Sequence, residues 1–368
     1  MKNPIRILCL AIACAMGFCE LSIAAPSFVE SGKEALRLLS KSLSDSDGGI
    51  RALAAKAWGE IGNPAAIPVL KRALKDQDDS VRIESAYSLF KLGSFVGVST
   101  LKSIINQEPG VGANSSPIEE LRRIAHDKMR VLAIRKLFSI QGKKSEEVLR
   151  GLLDDSSGEV RDAAATGLAR LGFSDFDSEF LSALESPDKT VRLAAVKDLG
   201  DIGNADAFEG LKREVSDTSV AVREEVMRSL AGFPSKTSAP ILDQALKDQD
   251  PRVRAQALSS LAVLSDSGSI SLLQGISDSS SNSDTRLEAE AGLARRGQNV
   301  DLSLADKVLN EKNRDLKNLA LDVLGAENSP QSNEILARVI SNESDIRLRI
   351  RAATFLLAHL SQKKRKHS

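Results

Sequence analysis

Apolar residues along this chain recur three and four positions apart, in runs of about a dozen residues separated by short turns rich in Asp, Ser and Gly. That spacing places them on one face of a helix, so the chain reads as a series of amphipathic helices. One run sets the frame. It opens at Asp78-Asp79-Ser80-Val81-Arg82 and closes at Leu92-Gly93, and it returns in altered wording, as in Asp188 to Val191-Arg192 and Asp250 to Val253-Arg254. Taking the basic residue as a marker gives Arg51, Arg82, Arg130, Arg161, Arg192, Arg223, Arg254, Arg286, Lys317 and Arg349. The steps are 31 residues or 32, except for one of 48. A fixed period of that size predicts a solenoid, in which each unit buries its apolar face against its neighbours.

The columns around the marker give the content of one unit. Three positions on stand Ala54, Ser85, Ala133, Ala164, Ala195, Val226, Ala257, Ala289, Ala320 and Ala352. Seven positions on stand Trp58, Leu89, Leu137, Leu168, Leu199, Leu230, Leu261, Leu293, Leu324 and Leu356. A small residue and a leucine four apart share a helix face, and the small one lets a neighbouring helix come close. Glycine often follows, as at Gly62, Gly93, Gly172, Gly203 and Gly297, where a helix is expected to end. Twelve and eight positions before the marker, pairs such as Leu70/Leu74, Leu211/Val215 and Leu242/Leu246 predict a second helix. Each unit is therefore helix A, a tight acidic turn, helix B and a glycine turn. The fold class is all-α, a right-handed α-solenoid of about ten two-helix repeats over residues 25–360.

The step of 48 inserts 17 residues between Arg82 and Arg130. Leu101 and Ile105 keep helix A of the third repeat, so the inserted loop, 107–117, falls in its A–B turn. Ser116-Pro117-Ile118-Glu119 then reads as an N-cap, a first-position proline and a capping glutamate, predicting a long helix from Pro117 to about Ile140. Near the other end, Glu290, Arg296 and Glu327 interrupt columns that are apolar elsewhere, which predicts looser repeats. The last helix carries Phe355 and Leu357 with no following repeat to cover them.

The wording Asp-x-x-Val-Arg-x-x-Ala-x-x-Ala/Ser-Leu-x-x-Leu-Gly resembles the HEAT-like repeats named after phycobilisome lyases, from about Ser27 to Leu360. That resemblance implies the superhelix, with helices B lining its concave side. An aspartate four before the marker is expected to cap helix B, and the arginine to reach an aspartate of the adjacent repeat. The resulting structural ladder comprises Asp47, Arg51, Asp78, Arg82, Asp188, Arg192, Asp250, Arg254, Asp345 and Arg349. Five positions past the marker lies the side of helix B opposite its buried face. The residues there include Lys56, Tyr87, Arg135, Lys197 and Arg228, which are the candidate partner-binding residues.

Composition narrows the rest. Fifty basic and fifty acidic residues give no net charge, which argues against nucleic acid as a partner. Residues 1–24 have the layout of a signal peptide, with Lys2 and Arg6, an apolar run from Ile7 to Phe18, and small residues at Ser22-Ile23-Ala24. The expected location is periplasmic or secreted, and no later segment is apolar enough to span a bilayer. All three cysteines, Cys9, Cys14 and Cys19, lie in that segment. A lipid anchor through Cys14 or Cys19 is the alternative. Residues 361–368, with Lys363-Lys364-Arg365-Lys366-His367, are expected to form a disordered, solvated basic tail.

Chemistry is sparse. His126, His359 and His367 are far apart and form none of the His-Glu or His-x-x-x-His pairs on which iron-binding HEAT-repeat hydroxylases depend. There is no phosphate-binding glycine loop and no nucleophile elbow. No catalytic, cofactor or metal site is expected. The reading is a non-catalytic scaffold in the bacterial cell envelope that binds another protein along its concave B face. The alternative is a lyase-like enzyme or enzyme subunit related to the phycobilisome lyases.

Overall fold

A computed structural model of the chain describes residues 26–107, 116–264 and 269–365. The leader-like segment 1–24 with its three cysteines, and most of the inserted loop 107–117, lie outside the described residues. Within them the chain forms helices and no strand. In order these are α1 (Pro26–Ser42), α2 (Gly48–Ile61), α3 (Ile67–Ala73), α4 (Asp79–Lys91), α5 (Val98–Ile105), α6 (Pro117–Gln141) and α7 (Glu146–Gly151). Then follow α8 (Gly158–Arg170), α9 (Asp175–Ala183), α10 (Lys189–Ile202), α11 (Ala205–Arg213), α12 (Val220–Leu230), α13 (Ser235–Ala245) and α14 (Pro251–Val263). The series ends with α15 (Ile270–Ser279), α16 (Ser283–Arg295), α17 (Ser303–Val308), α18 (Arg314–Ala326), α19 (Pro330–Asn342) and α20 (Ile346–Arg365). Odd numbers are the A helices and even numbers the B helices, so the fold is an α-solenoid of helix pairs.

The two core columns are buried as the periodicity requires. All ten residues at three positions past the marker, and all ten at seven past, are at most 2% exposed. Burying one such leucine contributes about 1.5–3 kcal/mol, so these columns are the main stabilising term of each repeat. Position +4, from Ala55 through Met227 to Ala353, is buried in every repeat as well. Adjacent B helices cross closely. A Cβ on Gly59 would lie 2.8 Å from the Ser88 Cα, and one on Gly200 would lie 2.3 Å from the Ser229 hydroxyl.

The A–B turns share one construction. The residue six before the marker accepts a hydrogen bond from the backbone N–H two residues on, at 2.6–3.2 Å, in Asp45, Asp76, Asp155, Ser186, Asp217, Asp248, Ser280 and Glu343. Four before the marker, the expected aspartates Asp47, Asp78, Asp188 and Asp250 cap helix B through their side chains, and Asp345 accepts from the Arg347 N–H. Each cap occupies an N–H that the helix itself cannot satisfy. The long helix α6 starts at Pro117, with a reciprocal capping box between Ser116 and Glu119, so the inserted loop ends at Ser116.

By packing, the described residues fall into two units, one from 1–140 and 305–368 and the other from 141–304. In the second unit the B helices stack in sequence order, α8 on α10, α12, α14 and α16. In the first unit the stack joins the two ends of the chain: α20 packs against α2 and α1, and α19 packs against α1. The expectation of an uncovered last helix is corrected by this contact. Leu356 and Leu357 are fully buried, because the first repeat occupies the place of a following one. Arg347 reaches the cap Asp47 at 2.9 Å, just as Arg314 reaches Asp345 at 3.0 Å between ordinary neighbours. Ser341 also donates to Glu34 at 2.9 Å.

Two further expectations change. Of the tail 361–368 expected to be disordered, residues 361–365 continue α20, and 366–368 lie outside the described residues. Gln, Lys and Arg are good helix formers, and extending an existing helix needs no new nucleus. Arg296, expected to loosen the late repeats, instead bridges two of them. The Arg296 guanidinium donates to the carbonyls of Leu261, Ala262 and Gly292, and so ties the ends of α14 and α16 together. Glu290 is 2% exposed, lies 3.5 Å from Arg286 and has its carboxyl pushed up by burial.

Candidate binding surface

The recurring charges pair across neighbouring repeats. Arg51 forks onto Asp76 at 2.7 and 2.9 Å, Arg192 onto Asp217 at 2.7 and 3.0 Å, and Arg223 onto Asp248 at 2.9 and 2.9 Å. Lys317 makes the equivalent contact to Glu343 at 2.6 Å. The third guanidinium nitrogen donates to the turn carbonyls of its own repeat, Arg51 to Asp45 and Arg192 to Ser186, both at 2.8 Å. A marker arginine therefore fixes its own turn and the next one.

This corrects the expected ladder in one respect. The acceptor is not the cap aspartate Asp78 or Asp250 but the acid two residues before it, 25 residues beyond the arginine. The cap carboxylate is already committed to the first turn of its helix, whereas the earlier acid stands at the mouth of the turn. Partner arginines hold the carboxyls of Asp76, Asp217 and Asp248 below the usual range. Arg254 lacks such an acid and donates only to the carbonyls of Asp248 and Gln249. Arg349 donates to the Ile340 carbonyl. Beside the insertion, Arg82 pairs with Asp79 in its own helix, and Arg130, 1% exposed, donates to the Ile105 carbonyl near Asp127.

The candidate partner-binding column is not uniformly open. Lys56, Lys197 and Arg228 are exposed, and Tyr87 and Arg135 are half-buried. At the same position Thr166, Ala291 and Thr354 are buried. The column was placed by treating helix B as isolated, but each B helix has neighbours on two sides, which narrows its wet strip. Two of the cations also have local acids: Lys56 lies 3.8 Å from Glu60, and Arg228 pairs with Glu224 and Glu225. Tyr87 belongs to a cluster in which Lys136 lies 4.1 Å and Lys91 5.1 Å from its ring centroid, with Glu84 3.6 Å from Lys136. Lys56, Tyr87 and Arg135 belong to the first unit, and Lys197 and Arg228 to the second.

Sequence reasoning missed four exposed apolar residues of the first unit. Phe95 and Val96 are 60% and 48% exposed in the turn after α4, and Ile118 and Leu121 are 63% and 66% exposed at the start of α6. The sequence signal was their place in repeats 2 and 3, outside every core column. Buried polar groups elsewhere serve the frame. His359 places its ring nitrogens 2.8 Å from the Asn333 side-chain oxygen and 2.8 Å from the Gly325 carbonyl, tying α18, α19 and α20 together. Asp177, its carboxyl pushed up by burial, accepts from Asn204 at 2.7 Å. Among the described residues no group of three or more His, Cys, Asp or Glu could hold a metal ion.

Comparison with known proteins agrees on the repeat. HEAT repeats match residues 25–110, 148–215, 177–242 and 208–294. No curated protein matches the chain in sequence. Among solved structures, human deoxyhypusine hydroxylase in complex with glycerol is 18% identical, covering 73% of this chain and 97% of its own, with a TM-score of 0.32. The complex of CpcE and CpcF of phycocyanin lyase from Nostoc is also 18% identical, covering 70% of this chain and 94% of its own, with a TM-score of 0.38. The matched segments span more than half of the residues and coincide with the helix pairs described above, so the chain belongs to the HEAT-repeat family.

Proposed function

We propose that this protein is a non-catalytic scaffold of the bacterial cell envelope that binds an acidic segment of another protein along its B helices. What carries the reading is the division of labour among the charges. The recurring arginines and acids are spent on the frame, whereas Lys56, Lys197 and Arg228 remain exposed on B helices. Arg228 and the half-buried Tyr87 are of the residue types enriched at protein-contact surfaces. The leader-like layout of residues 1–24 supports export to the periplasm.

Charge reversal tests it. Lys56→Glu, Lys197→Glu and Arg228→Glu, combined in a tagged chain expressed in the native envelope, should abolish co-purification of a partner that the parent retains. Circular dichroism should stay unchanged, because none of the three positions lies in the core. Retention of the same partner by the triple variant would overturn the B-face reading.

A further inference from the structure

Helix α6 carries a segment that the other B helices lack. Each of them starts three residues before its marker, whereas α6 starts thirteen before Arg130, at Pro117. The ten extra residues add about 15 Å of helix. None of the residues 116–126 is buried, and the first buried residue of α6 is Asp127. The reciprocal cap between Ser116 and Glu119 holds this overrun helical to its first turn. A helix surrounded by water should be polar all round, and this one is not. Ile118 and Leu121 are 63% and 66% exposed, and Ala125 is exposed as well. At about 100° per residue these three fall within about 60° of one another, and the half-buried Ile124 continues the stripe beyond Leu121.

The charges beside that stripe identify what covers it. The segment reads Ile118-Glu119-Glu120-Leu121-Arg122-Arg123-Ile124, so each acid before Leu121 is matched by a cation at the same distance after it. Turned end for end about Leu121, the segment sets apolar against apolar and acid against cation in a copy of itself. Acids in a first turn also suit a helix N-terminus, but that preference requires neither the two arginines nor the apolar stripe. Glu119 accepts from Ser116 through Oε2 alone, and Arg122 is exposed and makes no ion pair among the described residues. Glu120 and Arg123 pair at 3.0 Å within their own helix, at its surface.

From this self-complementary stripe we infer that two copies of the chain pair through the start of α6, antiparallel, about a two-fold axis at Leu121. Leu121 meets Leu121 of the second copy, Ile118 meets its Ala125, and the acidic turn of each copy lies beside the arginines of the other. The overrun has the length that this needs. Pro117 lies four residues, about 6 Å, before Leu121, and Asp127 lies six residues, about 9 Å, after it. Each helix therefore ends before it reaches the buried part of the other. The contact is short, so the dimer dissociates in the micromolar range, on the order of 10–100 µM.

Sedimentation equilibrium of the full chain tests the inference. From about 1 to about 300 µM the average mass should rise from one chain towards two. Ile118→Ser with Leu121→Ser should weaken association at least about tenfold. Glu119→Lys with Glu120→Lys makes the segment all basic, and Arg122→Glu with Arg123→Glu makes it all acidic. Each charge variant alone should stay monomeric over that range, whereas an equimolar mixture should dimerise at least as readily as the parent. Recovery in the mixture separates lost charge matching from lost folding, which circular dichroism of each variant checks as well. A parent that is monomeric throughout, or a dimer indifferent to the Ile118 and Leu121 changes, would overturn the inference. So would self-association of either charge variant, a mixture that stays monomeric, or capture of the stripe by a different protein on a chain that never pairs with itself.

Discussion

Repeats 5 to 7 and the stretch around the insertion use the same residue types to opposite ends. From Arg192 through Asp217 and Arg223 to Asp248, each arginine finds an acid 25 residues on and the rungs are contiguous. At Arg82, just before the seventeen added residues, the pairing differs. Arg82 folds back on Asp79, and Arg130 becomes a buried cation held by a carbonyl and Asp127. The rung needs an acid at that spacing: Arg161 and Arg254, at the regular period, have Ser186 and Ser279 there and donate to turn carbonyls instead.

That contrast can be broken at its most buried point. Arg130→Ala should cost about 2–4 kcal/mol, because it removes the charged donor of the buried Ile105 carbonyl and one of the two cations, Arg123 and Arg130, that pair with the buried Asp127. Urea titration followed by circular dichroism reads this as a lower midpoint. In the regular region, Asp248→Ala should cost about 1.5–3 kcal/mol, since two charge-assisted bonds to Arg223 and the Asp250 turn bond go together.

Acid sharpens the comparison. Burial alone would raise the Glu343 carboxyl, but the Asp345 N–H and Lys317 outweigh it and lower it from an ordinary 4.5 to about 2. A depressed acid stabilises the fold fully above about pH 4.5 and loses that contribution as pH falls through about 2. Glu343→Gln should therefore cost about 1–2 kcal/mol at pH 7, and the gap to the parent should close near pH 2, as thermal melts across that range would show. The smallest effect is a gain. Arg161 has Ser186 where its neighbours have an acid, so Ser186→Asp should add a rung and about 0.5–1 kcal/mol.

The frame was legible because burial writes itself at the repeat period. The alanine and leucine columns, the Asp caps and the Ser116–Glu119 capping box follow from local helix physics and stand where the pattern puts them. The true rung acceptor was present in the sequence as an acid six before the marker in Asp45, Asp76, Asp155, Asp217, Asp248, Glu311 and Glu343. It was eclipsed by the cap aspartate two residues later, whose role is local and easier to see. The packing of α20 on α2 was not legible, since residues about 300 apart in sequence share no periodic signal. The binding column failed in part for a related reason. Thr166 and Ala291 lie opposite the core of their own helix, yet they are covered by tertiary packing that a single-helix calculation omits.

Marker arginines and turn acids hold neighbouring repeats together. A double-mutant cycle on Arg223→Met and Asp248→Asn, read by equilibrium unfolding, measures that link directly. A coupling energy of about 1 kcal/mol or more is the predicted result. Additive losses, within about 0.3–0.5 kcal/mol, would contradict it.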